Sequence, residues 1–120
     1  HNGYGPNMFI RKANRDEDID IFGKGEELRD HVWIEDVAEI ISRLIRDQYI
    51  GKINITSGKA ISFLEIANFV KEKYKSTFDI NFIERKGPMP HNGYRAFNND
   101  KLNSLYEDFN YKLLKDWIFQ

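Results

Sequence analysis

Ten consecutive residues, Arg29-Asp30-His31-Val32-Trp33-Ile34-Glu35-Asp36-Val37-Ala38, constrain this chain more than any other stretch. They join a charged pair, a short alternating run and a helix start. Val32 and Ile34 fall on one side of the run and His31 and Trp33 on the other, the period-two pattern of a half-buried strand. Glu35 and Asp36 then sit at a helix N-terminus, where the helix dipole favours negative charge. Arg29 precedes this strand, so its guanidinium can reach a ligand at the strand's edge. A planar guanidinium donates two parallel hydrogen bonds and therefore suits phosphate or carboxylate. The competing reading is a surface ion pair with Asp30, Glu26 or Glu27, and the residues taken alone favour that one.

The same alternation of elements continues on both sides. Pro6 suits a first helical turn, and Met8, Phe9 and Ala13 predict a short helix ending near Asn14. Residues 18–22 alternate as a strand, and Gly23-Lys24-Gly25 reads as a hairpin-type turn after it. Val37, Ile40, Ile41, Leu44 and Ile45 form one stripe of a helix over 35–48, with Glu39, Arg43 and Asp47 opposite and able to pair at four-residue spacing. Ile53 and Ile55 predict a short strand over 52–56. Ser62 and Glu65 form a capping box ahead of a helix that carries Ile66, Phe69 and Val70 to about Tyr74. Residues 78–83 alternate again, 85–98 read as a Gly/Pro-bearing loop, and Asn98 or Asn99 can cap a helix bearing Leu102 and Leu105. Leu113, Leu114, Trp117 and Ile118 share one helical face in the tail. Strands alternating with helices give an α/β (α+β) class and one domain over residues 1–120.

Composition narrows the function classes. The chain of 120 residues is 41% apolar and 31% charged, as in ordinary folded domains, with a formal net charge of −1. No global field draws it to nucleic acid or to a membrane surface. It has no cysteine, which excludes disulfides and thiolate metal sites and fits a reducing, cytoplasmic compartment. No apolar run approaches membrane-spanning length. His1, His31 and His91 lack metal-ligand spacing. The chain opens on His rather than Met, directly at a turn, and is read as a piece of a longer protein.

With these elements placed, four ordered blocks resemble the C-terminal part of extended short-chain dehydrogenase/reductases, the NAD-dependent sugar-nucleotide epimerases and dehydratases. The blocks are Asn2-Gly3-Tyr4-Gly5-Pro6, Arg29 to Ala38, Ile53 to Ser62, and Phe97-Asn98-Asn99-Asp100-Lys101-Leu102. The resemblance implies a small C-terminal substrate-binding subdomain of a Rossmann-type enzyme whose dinucleotide-binding part precedes it. Matched positions inherit roles: Asn2 contacts the nucleotide sugar, and Arg29 binds its diphosphate. An arginine in the loop after the last strand clamps the same diphosphate. Arg85 matches best, with Arg95 a nearby rival. The parent enzyme would move a hydride transiently between the sugar and NAD.

The departures bound what this piece can do. A glycine-rich dinucleotide fingerprint is missing, because no third glycine and no helix pattern follow Gly23-x-Gly25. The family's Tyr-x-x-x-Lys pair is missing too; Tyr111 and Lys115 have its spacing but occur in the tail and read as structural. The insert that helps hold the nucleotide base in the family is nearly gone. No catalytic residue, no metal site and no NAD bound by the fragment itself are therefore expected, with NAD serving the parent. An edge strand and a helix face cut off from a larger sheet are expected to drive self-association. The runner-up is a non-catalytic binding or interaction module on the same scaffold.

Overall fold

A computed structural model describes residues 5–75 and 77–120. The expected contact of Asn2 lies outside the described residues. The architecture is mixed α/β, with two small sheets and a larger and a smaller apolar cluster.

Helix α1 (Gly5–Ala13) carries Pro6 in its first turn and buries Phe9 and Ala13. Strand β1 (Ile19–Phe22) buries Ile19 and Ile21 and leaves Phe22 exposed, as its alternation requires. β2 (Leu28–Asp30) comes next, then α2 (Ile34–Arg46), β3 (Ala60–Ser62) and α3 (Phe63–Tyr74). Strand β4 (Ile80–Ile83) pairs in parallel with β1, Ile19 opposite Ile80. A tight turn over Pro90–Gly93 leads into β5 (Tyr94–Arg95), which is followed by α4 (Asp100–Leu105) and α5 (Leu114–Trp117). β2 stands at the centre of the second sheet, antiparallel to β3 and parallel to β5.

The capping box forms as expected: Ser62 Oγ accepts from Glu65 N at 3.1 Å, and Glu65 Oε2 accepts from Ser62 N at 2.9 Å. It starts α3 immediately after β3, and α3 lays Ile66, Ala67 and Val70 against α1 and β1. Phe78, Leu114 and Ile118 complete this core. The second cluster is smaller, built on Ile40, Leu102 and Tyr106.

Several elements differ from expectation. Gly23-Lys24-Gly25 does not close a hairpin, because β1 and β2 belong to different sheets; the turn hands the chain from one to the other. Gly25 is held at φ 70°, and a Cβ there would come within 2.7 Å of Ile21 Cδ1 and 2.9 Å of Leu64 Cβ, so the crossing tolerates only glycine. The strand expected at 31–34 sits earlier, at Leu28–Asp30. Its partners run out at Asp30, and Ile34 falls instead in the first turn of α2, largely exposed. Residues 52–56 keep the expected alternation, with Ile53 and Ile55 half-buried and Lys52 and Asn54 exposed, yet join no ladder among the described residues. β5 arises inside the segment expected to be loop. At α4 Asn99 holds the N-cap position without a side-chain cap bond, and Asn98 Oδ1 accepts from Asp100 N at 3.0 Å. Arg43 pairs with Glu39 as expected but turns to Asp108 in place of Asp47, which Arg46 takes.

Candidate functional site

The register of the second sheet sets the site. β2 pairs with β5 so that Arg29 lies directly opposite Arg95. Like charges at such a position repel and are unfavourable without an anion between or beside them. Arg85 follows the end of β4 by two residues and reaches the same place. All three arginines line one cavity of about 420 Å³, whose other walls include Met8, Phe9, Phe22 and Phe63. Arg29 and Arg85, the two arginines expected from sequence, are thus brought together, and the rival Arg95 joins them as a third.

Glu27 occupies the middle. Its Oε1 accepts from Arg29 Nη2, and its Oε2 accepts from Arg85 Nη2 at 2.7 Å. The carboxylate is buried, with its residue 8% exposed, and both guanidiniums are mostly covered. The pairing of Arg29 with Glu27 weighed from sequence therefore exists, but in a buried site and shared with Arg85. Arg29 also donates through Nη1 to the carbonyl of Leu28 at 2.8 Å. The guanidinium of Arg85 lies 5.7 Å from the Phe22 ring centre, and its Nε has no acceptor among the described residues. Arg95 Nη1 lies 3.2 Å from His91 Nε2, which must accept, since a guanidinium can only donate. His91 and Asn92 both take left-handed backbone, φ 52°, in the turn that brings this ring back to Arg95. Asp20 also lines the cavity but is paired with Lys12 at 3.1 Å.

Asp30, beside Arg29, has the opposite task. Its two oxygens accept from Thr56 Oγ1 (2.6 Å), Ser57 N (3.1 Å), Ser57 Oγ (2.8 Å) and Gly58 N (2.8 Å). The second and third sequence blocks thus meet through one carboxylate, which fixes β2 while Arg29 faces the cavity. Asp36, expected to act only on the helix dipole, is buried and accepts from Lys112 N at 2.9 Å.

A second cavity, about 330 Å³, is lined by His31, Phe69, Tyr111 and Leu114 among others. Burial lowers the His31 pKa from its ordinary 6.5, with Asp30 opposing and Arg29 adding. Burial raises that of Tyr111 to about 12, helped by Asp30 and Asp36. Tyr111 packs on Phe109 at 4.9 Å in the smaller cluster, in keeping with a structural role.

Sequence reasoning missed Glu27 as a member of the site. The available signal was its spacing, because residues 27 and 29 share a face of an extended segment. It also missed β5, the element that puts Arg95 in register.

No cluster of His, Asp or Glu among the described residues could hold a metal ion. No helix among them is long and apolar enough to cross a membrane. Gly23-x-Gly25 is not a dinucleotide-binding turn: it leads into a strand rather than a helix, and the space at Gly25 is filled by Ile21 and Leu64.

The family model described as NAD dependent epimerase/dehydratase family matches residues 3–56. The chain is 34% identical over 92 residues to ADP-L-glycero-D-manno-heptose-6-epimerase from Fusobacterium nucleatum, covering 72% of this chain and 28% of that protein. A UDP-N-acetylglucosamine 4-epimerase from Methanobrevibacter ruminantium, solved with UDP-N-acetylmuramic acid, superposes with a TM-score of 0.80 at 19% identity, over 96% of this chain and 36% of that one. A dTDP-glucose 4,6-dehydratase from Bacillus anthracis, solved with NAD, gives a TM-score of 0.80 at 16% identity, over 98% and 37%. At those identities the two structures establish the fold. The chain spans about a quarter of the length of the curated relatives it matches.

Proposed function

Since this chain belongs to the NAD-dependent epimerase/dehydratase family, we propose that it is the substrate-binding portion of a nucleotide-sugar-modifying enzyme. Its part in that enzyme is to hold the diphosphate of the nucleotide sugar. The observation that carries this reading is the convergence of Arg29, Arg85 and Arg95 on one cavity. A diphosphate bridge spreads its charge over several oxygens, and several charge-assisted donors around it suit that distribution. The apolar walls at Phe9, Phe22 and Phe63 offer cover for the less polar parts of the ligand. Asn2 would add a contact to the sugar nucleotide. Hydride chemistry belongs to parts of the parent outside this chain, and the fragment alone binds no NAD and turns nothing over.

Self-association is part of the same proposal. Ile34, Ile41, Ile45 and Ile50 stand in water along and beyond α2, the helix expected to lose its cover when separated from a larger sheet. A second copy of the chain can cover them.

Calorimetry with UDP-, ADP- and GDP-sugars and with NAD tests the reading. The chain is expected to bind one of the nucleotide sugars and not NAD. Arg29→Ala should remove a charge-assisted contact worth about 1.5–3 kcal/mol, a loss of about 10- to 150-fold in affinity. Micromolar NAD binding, or sugar-nucleotide binding indifferent to Arg29→Ala, would overturn it.

A further inference from the structure

Resting on the reading of the arginine cavity as a diphosphate grip, we propose that Glu27 is its positioning and charge-setting residue. It holds Arg29 and Arg85 in place and tunes the site to an esterified diphosphate in preference to a free nucleoside diphosphate.

Glu27 is fixed by its own backbone before its side chain acts. Its carbonyl accepts from Phe63 N at 3.3 Å, while Gly25 O accepts from Leu64 N at 3.0 Å. The 25–27 segment therefore supplies acceptors to the first N–H groups of α3, and the carboxylate is set against a rigid helix end. Each carboxylate oxygen then takes one terminal nitrogen from a different arginine. Two cations sharing a buried anion are held at a spacing neither would keep alone. Arg29 Nη1 is spent on the Leu28 carbonyl and Arg85 Nε is buried without an acceptor among the described residues, so the cavity is served through the guanidinium edges that still line it.

The charge left over is specific. Among the lining residues, three guanidiniums stand against the one carboxylate of Glu27, because Asp20 is paired with Lys12 and His91 acts as an acceptor. Two positive charges remain. The diphosphate of a nucleotide sugar carries one ionised oxygen per phosphorus, about −2 in all. A free nucleoside diphosphate carries about −3 above pH 7, because a terminal phosphate loses its second proton near pH 6. The third negative charge meets the Glu27 carboxylate with no cation left to answer it. With the side chain 11% exposed, that repulsion is weakly screened by solvent.

The test compares ligands that differ in this one charge. Whichever of UDP, ADP and GDP binds the chain most tightly is titrated at pH 8 against its own β-methyl ester, which carries the lower charge and no sugar. Wild type is expected to bind the ester at least as tightly as the free diphosphate. Glu27→Gln should shift the affinity ratio roughly three- to tenfold toward the free diphosphate. Glu27→Asp, which keeps the charge, should leave the ratio near wild type even if both ligands weaken. Equal weakening of both ligands in Glu27→Gln, with an unchanged ratio, would reduce Glu27 to a structural role and overturn the proposal. Should that variant fail to fold, the wild-type comparison still decides, because a free diphosphate bound more than threefold tighter than its ester contradicts the charge match. Wild type binding none of these ligands would instead bring down the diphosphate reading itself, and the role of Glu27 with it.

Discussion

The half of the molecule around α1, β1 and α3 closes on a full core, although the ends of β1 and β4 leave Phe22, Phe82 and Ile83 exposed, and the half around α2 closes on much less. In the first, Ile19, Ile66 and Val70 are fully buried, and the arginine cavity opens on its edge. In the second, Ile40 is buried against Leu102 and Tyr106, while Ile34, Ile45 and Ile50 are 73%, 72% and 94% exposed. In sequence the apolar stripe of α2 is more sharply segregated than that of α3, so stripe strength does not explain the difference. What differs is the supply of partners: α3 lies between two strands and another helix, whereas the outer face of α2 meets no described element. Asp30 joins the halves through Thr56, Ser57 and Gly58, so the strand that carries Arg29 stays anchored even where the neighbouring segment finds no ladder.

The largest expected consequence is association. Covering Ile34, Ile41 and Ile45 is worth roughly 1.5–3 kcal/mol for each side chain fully buried. Light scattering at micromolar concentration should show a species heavier than the monomer, and Ile41→Lys with Ile45→Lys should return it to a monomer. A wild-type monomer with a fully cooperative melt would mean that α2 has the cover it needs.

A smaller effect separates the halves by stability. Ile66→Ala opens a cavity in the closed core and should cost about 2–5 kcal/mol in chemical denaturation. Ile45→Ala, made on an exposed face, should change the stability of the dissociated monomer by no more than about 0.5 kcal/mol. Similar costs at the two sites would erase the distinction.

The smallest effect is a pH slope. Burial holds the His31 pKa below 6.5 in the folded chain, so the unfolded chain takes up the proton first. The stability that His31 contributes is complete above about pH 6.5 and is lost as pH falls toward the folded value. The melting temperature should therefore drop between pH 7.5 and 5.5, and His31→Phe should flatten part of that drop. An unchanged slope would assign it to other groups.

Much of this was legible in the sequence because local rules suffice for it. The capping box at Ser62 and Glu65, the Pro6 start of α1 and the alternation of β1 involve neighbours within four residues. Strand partners are non-local, which is why Gly23-Lys24-Gly25 read as a hairpin and why β5 went unseen. The geometry of the candidate site was legible in the same proportion. Arg29 and Arg85 could be named from their motifs, but Arg95 enters only through its register with Arg29. Glu27 looked like a surface partner because nothing in the linear order reveals that Arg85 arrives on its other side.

The most direct test of the arginine grip is to locate the phosphorus atoms. A crystal structure of the chain with the nucleotide sugar it binds most tightly should place both phosphates within hydrogen-bonding distance of Arg29 and Arg85, with Arg95 within reach of one of them. A ligand seated in the cavity beside His31 and Tyr111, with the three arginines left as they are, would contradict it.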